Sequence, residues 1–74
     1  MSNTQIIKEF VEKYPYVVKP KFGESVVFLR LHSDGSITMH EGVVWQIWED
    51  GTFTVVTDDS YQNVHQNHLR VITD

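Results

Sequence analysis

The chain of 74 residues contains no cysteine, so disulfides and thiolate metal sites are excluded. It also lacks any run near the ~18 apolar residues of a membrane span. Its first residues lack the basic and apolar segments of a secretory signal. These absences predict a single cytoplasmic domain, residues 1–74, that does not bind a membrane. One core at this size typically supplies only about 3–5 kcal/mol. Aromatic packing or formation of a homodimer is therefore expected to reinforce it.

Positive charge is scarce in the second part of the chain. The formal net charge is −4, and the 44 residues after Arg30 carry seven acidic side chains against a single basic one, Arg70. A nucleic-acid-binding domain usually presents a basic stripe, because neutralised phosphates supply much of its affinity. The charge distribution therefore favours a protein or peptide partner, neutral or basic, over nucleic acid. Nucleic-acid binding through Lys19, Lys21 and Arg30 is kept as the first alternative.

The motifs of common enzymes are also missing. The chain has no cysteine nucleophile, no glycine-rich phosphate loop and no Ser-His-Asp arrangement with a nucleophile elbow. His65 and His68 form an H-x-x-H motif, but two histidines supply only two of the three or four ligands that a metal needs. We interpret them as part of a polar surface turn, and His32 and His40 as solvated loop residues. The chain is predicted to be no enzyme and to bind no metal or cofactor.

The first segment has the pattern of an amphipathic helix. Its apolar residues recur at spacings of one, three and four: Ile6, Ile7, Phe10, Val11 and Tyr14. A capping box at its start and a proline after its apolar stripe predict a helix over residues 3–13. Such a short helix is marginal alone and has to pack on its own domain or, as the less favoured alternative, on a second copy of the chain.

The remaining sequence predicts a β-structure. An extended connector is expected over residues 15–21, followed by a β-domain over residues 22–73. An Asp-Gly pair, Asp50-Gly51, is a strong signal for a hairpin turn. Five strands are expected at residues 25–31, 41–48, 52–57, 61–64 and 69–73, with a long polar loop over 32–39 and one 3₁₀ turn over 65–68. The expected core residues are Val26, Phe28, Val44, Ile47, Val55, Leu69 and Ile72.

Residues 22–72 resemble a Tudor-type SH3-like barrel. The resemblance rests on the features Asp50-Gly51, Val55, Asp58-Asp59, Asn63-Val64 and Leu69-Arg70. It implies a mainly β fold, a five-stranded SH3-like barrel preceded here by an α-helix. Tudor-type domains that read methylated lysine or arginine use an aromatic cage, with one tyrosine wall in the acidic turn. Asp59 stands at that position here, and the nearest aromatic residue is Tyr61.

The chain also resembles the type B plasmid dihydrofolate reductases. These are SH3-like barrels of nearly this length that assemble as tetramers around a pore lined by a Val-Gln-Ile-Tyr stretch. Gln62 stands at the glutamine position, and Asn63 and Val64 replace the isoleucine and tyrosine. This resemblance implies an oligomeric enzyme, which is kept as the second alternative.

The favoured interpretation is a small non-enzymatic protein-interaction module. Exposed tryptophans are typical of interfaces, because large rings dominate interface energetics. The inward direction expected for Val44 and Ile47 leaves the two tryptophans nearer the outer face, unless the N-terminal helix covers them. The predicted partner-binding residues are Trp45, Trp48, Phe53, Asp58, Asp59 and Tyr61, with the two aspartates facing a basic partner.

Overall fold

The computed structural model describes residues 2–15 and 19–72. Its elements are one helix, five strands and one 3₁₀ turn: α1 (Asn3–Lys13), β1 (Ser25–Leu31), β2 (Ile37–Ile47), β3 (Thr52–Val56), β4 (Tyr61–His65), η1 (Gln66–His68) and β5 (Leu69–Val71). The predicted mainly β fold with an N-terminal helix is confirmed. The predicted connector over 15–21 lies in part, at residues 16–18, outside the described residues.

The helix forms for the reasons that the sequence gives. The Ser2 hydroxyl accepts a hydrogen bond from the Gln5 backbone N–H, and the Gln5 side chain accepts one from the Ser2 N–H, so the capping box is complete. The helix ends where the Tyr14 N–H donates to the Phe10 carbonyl at 3.0 Å. Lys8 and Glu12, one helical turn apart, form an i,i+4 ion pair at 3.9 Å.

The five strands form one antiparallel sheet with the order β4-β3-β2-β1-β5. Four consecutive strands are joined as a meander, and β5 returns to pair with β1. The two outermost strands, β4 and β5, are linked by the η1 turn and share no ladder in the described part of the chain. The sheet is therefore open at this seam and does not close into the expected barrel.

The second strand is longer than predicted. It starts at Ile37, four residues before the expected start, and the loop before it covers only residues 32–36. The Ile37 N–H donates to the Asn3 side-chain oxygen at 3.0 Å, and the Asn3 amide nitrogen donates to the Gly35 carbonyl at 2.7 Å. A helix residue far away in the sequence thus fixes the start of this strand, which local sequence does not reveal.

The core lies on one side of the bent sheet. Its buried members are Val26, Phe28, Val44, Phe53, Val55, Val64 and Leu69. Five of the seven predicted core residues are therefore confirmed. Ile72 is only half-buried, and the prediction for Ile47 is wrong, since its side chain is 42% exposed. Ile47 is the last residue of β2, so neighbours along the strand cover it on one side only.

Gly42 allows β2 to pair with β1 along its first part and with β3 along its second part. All seven residues of β1 pair with residues 37–43 of β2, whereas β3 pairs with β2 only from Val43 onward. A Cβ atom at Gly42 would lie 2.5 Å from both a Val55 methyl carbon and the Val56 carbonyl oxygen. The missing side chain therefore lets the end of β3 approach β2 at the point where the ladder passes from β1 to β3.

The helix packs on its own sheet, on the side opposite the core. The Phe10 ring is buried and lies against the Arg70 guanidinium, with 5.0 Å between the guanidinium carbon and the ring centroid. Ile7 and Val11 border a groove beside Leu31 and remain partly exposed. The predicted packing of the helix on its own domain is thus confirmed, although only Phe10 is fully buried.

We expect Leu69→Ala to lower the free energy of unfolding by about 2–5 kcal/mol, because it removes a fully buried side chain and leaves a cavity. Leu31→Ala is the matched control. Its side chain is 72% exposed, so its effect is expected within about 0.5 kcal/mol. Urea denaturation measures both values, and equal losses in the two variants would contradict the described core.

We expect Gly42→Ala to cost about 3 kcal/mol, at the upper end for overpacking, because one of the crowded atoms is a backbone oxygen that cannot rotate away. The neighbouring exposed residue provides the control, and Glu41→Ala is expected to leave the melting temperature nearly unchanged. A melting temperature of Gly42→Ala equal to that of the unmodified chain would show that β3 does not approach β2 closely.

Candidate functional site

Both tryptophans lie on the surface. Trp45 is 55% and Trp48 46% exposed, and Tyr61 is exposed as well. The Trp45 ring packs against the exposed ring of Phe22, with 5.9 Å between centroids, rather than under the helix. The alternative in which α1 covers the tryptophans is therefore not observed.

Trp48 is held in place by hydrogen bonds that cross the sheet. Its indole N–H donates to the Thr54 hydroxyl at 2.9 Å, and that hydroxyl donates to the Asn63 side-chain oxygen at 2.7 Å. Thr54 pairs with Asn63 on β4, and its strand neighbours point into the core. The Trp48 ring therefore lies over the outer side of β3, where its orientation is fixed before any partner binds.

The outer side of β2, β3 and β4 is continuous with this ring. Val43 pairs with Val56, and Val56 with Tyr61, so a second row of apolar side chains crosses the same three strands. We call this surface the aromatic face and define it by its exposed apolar residues, Phe22, Val43, Trp45, Trp48 and Tyr61. Large exposed apolar surfaces of this kind typically mark interaction sites.

Phe53 does not belong to the aromatic face. It is 1% exposed and pairs with Val64 across β3 and β4, so its predicted contact with a partner is wrong. The physical reason is strand alternation, since Phe53 and Val55 are two residues apart and point to the same side. This signal was present in the sequence, because Val55 was already expected in the core.

The predicted acidic turn does not lie beside Trp48. Asp58 and Asp59 lie just after the C-terminal end of β3. Trp48 lies beside the first residue of β3, because the Trp48 N–H donates to the Thr52 carbonyl. About five residues of extended chain separate the two sites, roughly 17 Å at the usual strand rise. The acidic residues next to Trp48 are Glu49 and Asp50, in the β2–β3 turn.

Asp50 organises that turn. Its carboxylate accepts hydrogen bonds from the Thr52 N–H at 3.0 Å and from the Thr52 hydroxyl at 2.6 Å. Gly51 adopts a positive φ of 90°, which the turn requires. The side-chain and backbone hydrogen bonds from Thr52 lower the pKa of Asp50 below its ordinary value of 3.8. Asp34 has the same arrangement with Ser36, and its pKa is lowered for the same reason.

A polar cluster lies next to the loop over residues 32–36. Nε2 of His32 and Nε2 of His40 each lie 2.6 Å from the Thr38 hydroxyl, and the His40 ring stacks on Phe28. Both histidines are half-buried rather than fully solvated. His32 lies in the loop as predicted, but the prediction that His40 is a loop residue is wrong, because β2 begins at Ile37 and places Thr38 and His40 inside a strand.

Two other residues singled out for chemistry, Gln62 and His65, have structural partners. Gln62, the position matched to the reductases, donates to the Ser60 hydroxyl at 2.9 Å. His65 caps the η1 turn, because its Nδ1 accepts the Asn67 N–H at 3.2 Å. Within residues 2–15 and 19–72, no three histidine, cysteine or acidic side chains converge as they would around a metal ion.

Comparison with family models, with curated proteins and with solved structures finds no match, and therefore no family is assigned to the chain. A separate search of the described helices finds none that is long and apolar enough to cross a membrane.

The lowered pKa of Asp50 predicts a pH-dependent contribution to stability. A carboxyl group with a depressed pKa in the folded state stabilises the fold above its ordinary pKa of 3.8, and this contribution is lost as the pH falls through the folded-state value. We therefore expect Asp50→Ala to destabilise the chain at pH 7, and the difference from the unmodified chain to shrink below pH 3.8. Urea denaturation across this range measures it. A difference that grows on acidification would contradict the hydrogen bonds to Thr52.

Proposed function

We propose that this chain is an SH3-like, Tudor-type module that binds a partner protein and catalyses no reaction. Support for the SH3-like class comes from the strand order, the short 3₁₀ turn before β5 and the bend of β2 between two parts of the sheet. The observation that carries the binding function is the aromatic face, which presents two tryptophans and a tyrosine to solvent on a small domain.

The aromatic face has the composition of an interface. Tryptophan and tyrosine are enriched among hot-spot residues, because their rings bury a large area at a small cost in side-chain entropy. Trp48 is already oriented by its hydrogen bond to Thr54, which reduces the ordering cost on binding. Trp45 contacts the ring of Phe22, which is itself exposed. The proposed partner therefore places apolar or long side chains against these rings.

The acidic residues around the aromatic face indicate the charge of the proposed partner. Glu49 and Asp50 border the aromatic face at the β2–β3 turn, and both are exposed. Asp58 and Asp59 border it at the far end, next to Tyr61. Such rim charges mainly accelerate association with an oppositely charged partner. The partner proposed for this cytoplasmic module is therefore basic, and the charges on the rim are expected to affect its association rate more than its affinity.

The test compares Trp48→Ala with the unmodified chain. A partner is captured on the immobilised chain, identified by mass spectrometry, and titrated against both forms. We expect the dissociation constant to rise at least ~30-fold, the equivalent of a lost hot-spot residue worth about 2 kcal/mol. Asp58→Asn combined with Asp59→Asn is expected to slow association and to weaken its salt dependence.

Two controls separate binding from folding. Val11→Ala removes a partly exposed apolar side chain from the helix, away from the aromatic face, and is expected to leave the affinity unchanged. Fluorescence quenching by acrylamide is expected to be strong in the unmodified chain, since both indoles are exposed. An unchanged affinity in folded Trp48→Ala would rule out the aromatic face as the binding surface.

A further inference from the structure

Among the described residues, the first half of β2 pairs along one edge only. Residues 37–43 pair with β1 on one side, but on the other side β3 reaches only as far as Val43. The chain leaves the ladder after Val56, where the Thr57 N–H donates to the Ser60 carbonyl and turns it into β4. Residues 37–42 of β2 therefore form a strand edge in the middle of the domain, which we call the β2 edge.

The ladder shows which backbone groups point out of this edge. In an antiparallel pair, every second residue directs its N–H and C=O to the partner strand, and the others direct them away. The Val44 N–H donates to the Glu24 carbonyl and the His32 N–H to the Ser36 carbonyl, so the even-numbered residues of β2 face β1. Ile37, Met39 and Glu41 consequently direct their backbone groups away from β1.

The hydrogen bond of Ile37 verifies this alternation. Its N–H donates to the Asn3 side chain rather than to β1, and thereby the helix closes one end of the edge. Over residues 2–15 and 19–72, no hydrogen bond engages the outward backbone groups of Met39 or Glu41. Two N–H groups and two carbonyls at strand spacing are the pattern that an added strand recognises.

There is space for an added strand. A cleft of about 480 Å³ separates the β2 edge, at Met39, His40 and Glu41, from the turn at residues 57–60. A second cleft of about 460 Å³ extends from Met39 along the side of the helix that carries Glu9, Glu12 and Lys13. Met39 lines both clefts, so the two spaces meet at this residue of the β2 edge.

The charged side chains that line the two clefts indicate what kind of segment would bind there. Five carboxylates line the two clefts, those of Glu9, Glu12, Glu41, Asp58 and Asp59, against the two cationic groups of Lys13 and Arg30. The acidic side chains are all exposed, so they can form ion pairs with an incoming chain without first losing buried contacts. They favour positive charge and disfavour a second copy of this acidic surface.

We propose that the β2 edge binds an extended basic segment of a partner protein, which adds as a further strand next to Met39 and Glu41. This binding surface shares the Asp58-Asp59 turn with the rim of the aromatic face but includes none of its exposed apolar residues. Backbone hydrogen bonds to Met39 and Glu41 fix the register of the added strand against β2. Lysine or arginine side chains of the segment face the carboxylates that line the two clefts.

The probe is an acetylated, amidated peptide of about seven residues that alternates lysine and valine, titrated into the ¹⁵N-labelled full chain at low salt. The amide signals of Met39 and Glu41 are expected to shift, and their hydrogens to exchange more slowly with solvent. The affinity is expected to fall as salt is added. Absence of binding at millimolar peptide would overturn the proposal.

Two modified peptides test the two parts of the proposal on the unmodified chain. The same peptide with N-methyl groups at alternate backbone positions keeps its charge but cannot form the strand ladder, and is expected to bind at least ~10-fold more weakly. A peptide with glutamate in place of lysine is expected not to bind. Equal affinity of either one with the original peptide would overturn strand addition or charge selection, respectively.

Variants of the chain locate the peptide. Met39→Pro removes an N–H that the ladder with β1 does not use, so the fold is expected to persist while peptide affinity falls at least ~10-fold. If Met39→Pro does not fold, the comparison of the modified peptides on the unmodified chain still tests whether the peptide adds as a strand. Trp48→Ala is expected to leave the affinity for this peptide unchanged. A loss in that variant would place the peptide on the aromatic face and overturn the proposal.

Discussion

The architecture depends on the close approach of β3 to β2 at Gly42. β2 pairs with β1 along residues 37–43 on one edge and with β3 from Val43 onward on the other, and the bulge between Val44 and Gln46 bends the strand where its partner changes. Next to this bend, backbone of β3 lies too near to admit even a methyl group at position 42. Because β3 begins to pair there, Val44, Phe53 and Val55 come to face Val26 and Phe28, and the core forms between the two parts of the sheet.

The same bend determines which surfaces remain free. Beyond it, the outer side of β2, β3 and β4 is uncovered, and the two tryptophans lie there. Before it, the helix occupies the outer side of the sheet through Phe10 and Arg70, and no strand in the described part of the chain pairs with the other edge of β2. A domain of this size cannot cover both regions with a single short helix, so burying Phe10 leaves the aromatic face open.

Local signals in the sequence predicted the local structure well. The helix follows from its stripe and its capping box, β1 from its apolar run, and the β2–β3 turn from Asp50-Gly51. The start of β2 could not be predicted in this way, because Asn3 determines it across more than thirty residues of sequence. The polar residues Ser33, Asp34 and Ser36 are typical of a loop, and nothing in them shows how early the strand resumes.

For the predicted partner-binding residues, the sequence left open whether the N-terminal helix covers the tryptophans. The structure exposes both tryptophans and Tyr61, whereas Phe53 is buried, as strand alternation with Val55 requires. The pair Val44 and Ile47 was expected to point inward together. The ladder shifts by one residue between Val44 and Gln46, which places Ile47 opposite the buried Phe53, on the expected side. Ile47 is nevertheless exposed, because it is the last residue of β2.

The length of β3 separates the acidic turn from Trp48, and this distance constrains any partner. A single side chain cannot reach the Trp48 ring and the carboxylates of Asp58 and Asp59 together, because roughly 17 Å of strand lies between them. An extended segment of about five residues spans that distance, and a short helix of about eleven does so as well. The charge selectivity of the acidic turn and the apolar contacts of Trp48 are therefore properties of two different parts of a partner, and substitutions at the two sites should combine additively.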